Sequence, residues 1–274
     1  MDAWVYERAA DQELSRTDRM RRFPRDPDMM TWTLRSMIQI ALRSFLRTYN
    51  GLEVVGRENL PAAESFVMVC NHSSHFDAIS LLASLPLRRV HDAFPVAAAD
   101  YFFSTPLRSL LSAIVVNALP FDRLQHTEAS LDVCRELLAG ANNVLILFPE
   151  GTRSCDGGLG RFRSGVGRLV AGTSTPVVPC HLSGAYEAWP RHRAVPRPRR
   201  LRLHIGHPRV FREVSPFERD VVATIAEQLR DDVAALGLAA RGQSDTGAAV
   251  RDHAASSFGR RSETGRSASI SSSE

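Results

Sequence analysis

From Leu52 onward, short apolar runs alternate with segments of helical periodicity, and that alternation confines the chain to an α/β architecture. The candidate strands are Leu52–Val55, Phe66–Cys70, Pro95–Ala99, Ile114–Ala118, Val144–Phe148, Val177–His181 and Leu201–Gly206. Helices are expected between them over Ala78–Leu85, Pro106–Ser112, Glu128–Ala139 and Val166–Gly172, with Pro106 suited to the first helical position. In the last strand Leu201, Leu203 and Ile205 alternate with Arg200, Arg202 and His204, which predicts one buried and one wet face. Ser215-Pro216-Phe217-Glu218 fits a capping box opening a final helix that runs to about Leu236. The expected fold is therefore a single α/β domain: a central, mostly parallel or mixed sheet flanked by helices. With 274 residues, 44% of them hydrophobic, there is material for one domain of about 150–200 residues plus extensions.

Those extensions differ in kind. Residues 1–28 form a polar lead that mixes acids with arginines and lacks the apolar core of a signal peptide. Residues 29–50 are expected as a helix, with Leu34, Met37, Ile38, Ala41, Leu42, Phe45 and Leu46 on one face and Arg35, Gln39, Arg43 and Arg47 on the other. Twenty helical residues reach about 30 Å, enough to cross a bilayer. Repeated arginines oppose crossing, at about 2.5–3.5 kcal/mol each in mid-membrane. Two readings stay open: a helix in the membrane interface with Trp32 and Phe45 inserted and its arginines near lipid phosphates, or an amphipathic helix packed on the domain. The α/β domain is assigned to 51–239, and the Ser/Gly/Arg-rich stretch 240–274 is expected to be a disordered tail.

Composition removes several function classes. All 34 basic residues are arginine, so Schiff-base and P-loop lysine chemistry is excluded, while every cationic site is forked and suited to phosphate. Cys70, Cys134, Cys155 and Cys180 are scattered without a C-x-x-C pair, against a zinc site and for a reducing compartment. Neither G-x-S-x-G nor H-E-x-x-H occurs, so serine and zinc hydrolases lack their central parts. No nucleic-acid motif is present. Arg191, Arg193, Arg197, Arg199 and Arg200 with Trp189 make a basic, proline-broken loop, read either as solvated or as attracted to an anionic membrane.

Two stretches at strand ends carry chemistry. Asn71–Asp77 (NHSSHFD) places His72 five residues before Asp77, where open α/β sheets bind ligands. An imidazole of pKa about 6.5 is a base for an alcohol near neutrality, and Asp77 could hold its second nitrogen protonated. The alternative is a helix-capping Asp77 beside a surface His72; His75 is read as lining. Phe148–Ser154 (FPEGTRS) sets Glu150, Gly151, Thr152 and Arg153 after another strand. Gly151 permits close backbone approach, Arg153 could bind a phosphate bidentately, and Glu150 could accept from a hydroxyl or pair with Arg153 at the surface. Phe121-Asp122-Arg123 offers a second phosphate ligand, Arg123.

In this order and at these separations, NHSSHFD, PFDR, FPEGTRS and VVPCHL resemble the four motifs of the glycerolipid acyltransferase family, whose best-known members act on 1-acylglycerol 3-phosphate. The likeness runs from about Leu52 to Phe211. It implies that His72 is the general base and Asp77 its orienting partner, and that Arg123 contacts the acceptor phosphate. It also implies that Glu150, Gly151, Thr152 and Arg153 form the rest of the acceptor site and Pro179 shapes the acyl pocket. Arg163 stands where relatives often have lysine; Cys180 after the proline and the alanines at 97–99 depart from the family pattern. The implied reaction moves a fatty acyl group from acyl-CoA or acyl carrier protein to lysophosphatidic acid at the cytoplasmic membrane face, with no cofactor, no metal and no nucleic acid. Glycerol 3-phosphate or another lysophospholipid remains an alternative acceptor, and a thioester hydrolase or a non-catalytic lipid-binding module an alternative function. The oxyanion donor is open between Asn71 and a backbone NH.

Overall fold

The computed structural model describes residues 29–98, 115–121, 127–214, 218 and 220–241. Helix α1 (Met29–Tyr49) leads into β1 (Glu53–Val55) and β2 (Phe66–Cys70), followed by α2 (Phe76–Ser84) and β3 (Ala93–Ala98). Next come β4 (Leu119–Phe121), α3 (Thr127–Ala139), β5 (Val144–Leu147) and α4 (Gly165–Val170). The chain closes with β6 (Val177–Ser183), α5 (Ala185–Ala188), β7 (Arg202–Ile205) and a helix α6 over residues 220–241.

Seven strands form one sheet in the order β1-β7-β6-β2-β5-β3-β4. Every neighbouring pair is parallel except β6–β7. All five residues of β2 are buried, as an inner strand covered on both faces requires. Phe66, Met68 and Cys70 face a core shared with α1, α2 and α5, whereas Val67 and Val69 face one shared with α3, α4 and α6. β2 and β5 are neighbours and parallel, so the loops that follow them emerge at the same edge of the sheet.

Three expectations need correction. The run Ile114–Ala118 is not a strand where it is described: Asn117 takes a positive φ of 53° and donates from Nδ2 to His91 O and Ala93 O, so pairing starts only at Leu119. β7 is not half wet, because it lies between β1 and β6 and His204 is buried along with Leu203 and Ile205. The last helix passes Leu236 and buries Ala240, beyond the boundary placed at 239. The expected helix at Pro106–Ser112, the Ser215–Phe217 part of the capping box, the lead 1–28 and the tail from 242 lie outside the described residues.

α1 packs in an unexpected orientation. Arg35, Gln39 and Leu46 are its buried residues, while Met30, Leu34, Met37, Ile40 and Phe45 are exposed. Gln39 Nε2 donates to Val115 O at 2.6 Å, and Arg43 Nη2 donates to Leu82 O and Leu85 O at 3.2 and 2.7 Å. Arg43 thereby satisfies carbonyls left open at the C-terminal end of α2, where a cation also suits the helix dipole. The helix is packed on the domain, but through its polar stripe. Its arginines are not all available to lipid: Arg35 is buried and Arg43 turns toward α2.

Candidate active site

The carboxylate of Asp77 organises the loop after β2. It sits in the first turn of α2, wholly buried, where backbone NH groups and the helix dipole favour an anion. Its Oδ2 accepts from Ser73 N at 2.7 Å, from Ser74 N at 2.8 Å and from His72 Nδ1 at 2.8 Å. A carboxylate only accepts, so His72 carries a proton on Nδ1, and in the neutral ring the lone pair is then on Nε2. The reading of Asp77 as a helix cap beside a detached His72 therefore fails: Asp77 binds the loop amides and the imidazole together. His72 is 24% exposed and stacks on Phe148, with ring centroids 4.2 Å apart.

Glu150 ties the second loop to the first. Its Oε1 accepts from His72 N at 2.8 Å and its Oε2 from Gly160 N at 3.0 Å, while Ser154 N donates to His72 O at 2.7 Å. Burial raises the Glu150 pKa, with the two amides opposing that rise. Both Glu150 oxygens are engaged by backbone, and no Glu150–Arg153 pair is found among the described residues. Gly151 has φ +76°, and a Cβ there would stand 2.7 Å from Arg163 Nε, so the close approach that glycine permits is made by a guanidinium. Thr152 is exposed.

Arg153 turns back toward the first loop. Its Nη1 lies 2.8 and 2.7 Å from the two ring nitrogens of His75. Arg153 can only donate, so the His75 nitrogen that it meets carries a lone pair. Burial first, and then the Arg153 charge, lower the His75 pKa and keep the ring neutral. His75 also packs on Trp189, which meets Phe76 edge-on and donates from Nε1 to Arg193 O. Trp189 therefore faces inward rather than outward with the arginines of its loop.

His72, Asp77, Glu150, Gly151 and Arg153 thus share one edge of the sheet. Pro179 sits elsewhere, inside β6 opposite Val69, buried near Gly206 and Leu236. Arg123 lies outside the described residues. Asn71 is committed to β6: it donates to Leu182 O and accepts from Leu182 N, which directs its amide away from an oxyanion role. The sequence reading missed Phe148, Ser73, Ser74 and the His75–Arg153 contact. Phe148 and the two serines were visible inside the motifs, but their roles are backbone and stacking contacts that no residue type announces. Among the described residues no group of three or more His, Cys, Asp or Glu could hold a metal ion.

In sequence and in fold the chain is similar to known acyltransferases. A chloroplastic 1-acyl-sn-glycerol-3-phosphate acyltransferase of Brassica napus is 30% identical over 154 residues, covering 55% of this chain and 41% of the relative. The Arabidopsis thaliana counterpart is 32% identical over 142 residues, 51% of this chain and 38% of that protein. The chain thus spans about two fifths of these plant relatives. A 1-acyl-sn-glycerol-3-phosphate acyltransferase of Bacillus subtilis is 27% identical over 61% of this chain and 78% of its own length. In fold, the chain resembles the crystal structure of the 1-acyl-sn-glycerophosphate acyltransferase PlsC from Thermotoga maritima, with a TM-score of 0.54 and 22% identity, over 73% of this chain and 77% of that one. The Acyltransferase family model matches residues 51–183. The matched stretch, just under half of the chain, holds the His72–Asp77 pair.

Proposed function

We propose that this protein is an O-acyltransferase that moves a fatty acyl group from a coenzyme A or acyl carrier protein thioester to the free hydroxyl of lysophosphatidic acid. One observation carries the reading: a half-buried imidazole whose Nδ1 is held by a buried carboxylate, leaving Nε2 as a base at the ligand-binding edge of the sheet. The names of the relatives supply the acceptor class.

His72 Nε2 takes the proton of the acceptor hydroxyl as that oxygen bonds to the thioester carbonyl carbon. Asp77 stabilises the imidazolium that results. When the tetrahedral intermediate collapses, the C–S bond breaks and the thiolate leaves with the proton from His72. No covalent acyl-enzyme is required. In this reading Arg153, a fork-shaped donor suited to a dianion, holds the acceptor phosphate. Phosphate binding and the His75 contact compete for the same guanidinium, so Arg153 exchanges one partner for the other when the acceptor enters.

The exposed apolar face of α1 suits peripheral attachment at the membrane surface where both substrates meet, on the cytoplasmic side. No helix among the described residues is long and apolar enough to cross a membrane.

The test is turnover of acyl-CoA by the purified full chain against a panel of lyso-acceptors, read by mass spectrometry for acylated lipid and free fatty acid. His72→Ala should abolish acylation with the fold intact. Arg153→Ala should weaken phosphorylated acceptors selectively. Free fatty acid as the sole product would replace transfer by hydrolysis, and equal losses on all acceptors would remove Arg153 from phosphate recognition.

A further inference from the structure

A second concentration of positive charge lies away from the strand-end site, toward the other end of α2. Arg43 and Arg47 of α1, Leu52 and Val54 at β1, Arg57 in the turn after β1, and Ala83 near the end of α2 enclose a cavity of about 210 Å³. Asp77 and Ala83 stand six positions apart on α2, about 9 Å along its axis, so this cavity opens toward the opposite terminus of the helix that carries the catalytic carboxylate.

Three guanidinium groups line one cavity without an acid. No carboxylate is part of its wall, and among the described residues none pairs with Arg43, Arg47 or Arg57. Carbonyl oxygens are the partners that two of them have: Leu82 O and Leu85 O for Arg43, Ala83 O for Arg57 at 3.4 Å. Arg43 Nε is buried and has no acceptor. Burial, and after it the charges of Arg57 and Arg47, lower the Arg43 pKa, the signature of like charges gathered without a counter-ion. Arg43 is the partly buried member and has no ionic partner, whereas Arg47 and Arg57 are exposed, so an entering anion would pair with Arg43 inside the cavity and meet the other two at its rim.

The size and walls of the cavity narrow the anion. Sites that engulf a drug-sized ligand measure about 300–1,000 Å³, so this one accepts a single charged group rather than a whole nucleotide. Three forked donors on two segments, α1 and the turn after β1, offer more N–H groups than a planar carboxylate can take up and suit the oxygens of a phosphoryl group. Leu52, Val54 and Ala83 supply an apolar wall against which an ester carbon can rest. Arg43 and Arg47 also lie one turn apart on a flank of α1, adjoining the outward face that exposes Met37 and Ile40. A phosphate at a bilayer surface would reach the cavity with those side chains among the lipid tails.

We propose that Arg43, Arg47 and Arg57 form an anion site for a phosphoryl oxyanion, carried either by a phospholipid headgroup or by a soluble phosphate ester. The site is separate from the acceptor-binding edge, and its occupancy does not depend on His72 or on turnover.

The test uses the full chain and the double variant Arg47→Gln/Arg57→Gln; Arg43 is spared because it also caps α2. A charge-matched control, Arg212→Gln/Arg241→Gln, removes two exposed arginines from the α6 side of the sheet. Flotation with phosphatidylcholine vesicles, with and without phosphatidylglycerol, tests the lipid source. Thermal shift with inorganic phosphate, against chloride at equal ionic strength, tests the soluble one. The double variant should bind the anionic vesicles about 30-fold more weakly than wild type, from about 1 kcal/mol per basic residue at an anionic surface, and should still bind zwitterionic vesicles. Loss of the vesicle preference alone assigns a lipid headgroup, and loss of phosphate-induced stabilisation assigns a soluble ester. A double variant indistinguishable from the control pair in both assays would overturn the site. His72→Ala should behave as wild type in both, so failure of the proposed reaction and failure of this site are told apart.

Discussion

The two long helices at the ends of the described chain carry comparable periodicity and dock in opposite senses. α6 turns Ile225, Ala226, Leu229 and Val233 into the core shared with α3 and α4 and sets buried Val222 against Gly167 of α4, with Glu227, Gln228 and Asp231 outside. α1 buries Arg35 and Gln39 and leaves Leu34, Met37 and Ile40 in the open. An apolar stripe at helical spacing therefore identifies a helix without saying which face its own domain will take. What decides the matter is the surface opposite. α6 meets an apolar sheet face, whereas α1 meets backbone carbonyls at Leu82, Leu85 and Val115 that need donors.

The contrast is broken most directly by single substitutions at the seam of each helix. Leu229→Asp, at the centre of the α6 seam, should destabilise the fold by about 3–5 kcal/mol in denaturant unfolding. Gly237→Val should follow at about 1–3 kcal/mol, because a Cβ there would lie 2.7 Å from His181 Nε2 and push α6 off the sheet. On α1 the sign is informative: Gln39→Leu should cost about 1–2 kcal/mol by stranding Val115 O, whereas a helix docked by its apolar face would gain from the change.

Acid should loosen the α6 side. Burial, and then the neighbouring His204, bring the His181 pKa down to about 4 from an ordinary 6.5. The unfolded chain then binds the proton more readily, so this contribution is intact above pH 6.5 and is lost as pH falls from 6.5 toward 4. Over the first pH unit below that point the loss should be about 1 kcal/mol, and His181→Gln should flatten the profile of Tm against pH. The smallest stability effect is expected from Leu34→Asp with Met37→Asp, within about 0.5 kcal/mol for each change. The same pair should lower binding to zwitterionic vesicles; unchanged vesicle binding would remove α1 from membrane attachment.

Much of this was legible in the chain. β2 was read to the residue, and β5, β6, α2 and α3 within two residues of their ends, because their apolar runs are bounded by turn-forming residues. The spacing allowed Asp77 as the partner of His72 or as a helix cap, and the family resemblance implied the first, since five residues bring a strand end and a helix start together. The roles of Glu150 and His75 were not legible. Glu150 finds its partners at His72 N and Gly160 N, and sequence records side chains rather than the direction of an amide. His75 meets a guanidinium 78 residues away.

By itself the sequence determined the alternation of strands and helices, the two strand-end motifs and the all-arginine cationic surface, because these depend on residue type and local spacing. Tertiary structure alone decided which way α1 faces, where Arg153 rests and that three arginines share a cavity without an acid. Those outcomes depend on which groups meet across distant segments, and on whether each buried donor finds an acceptor there.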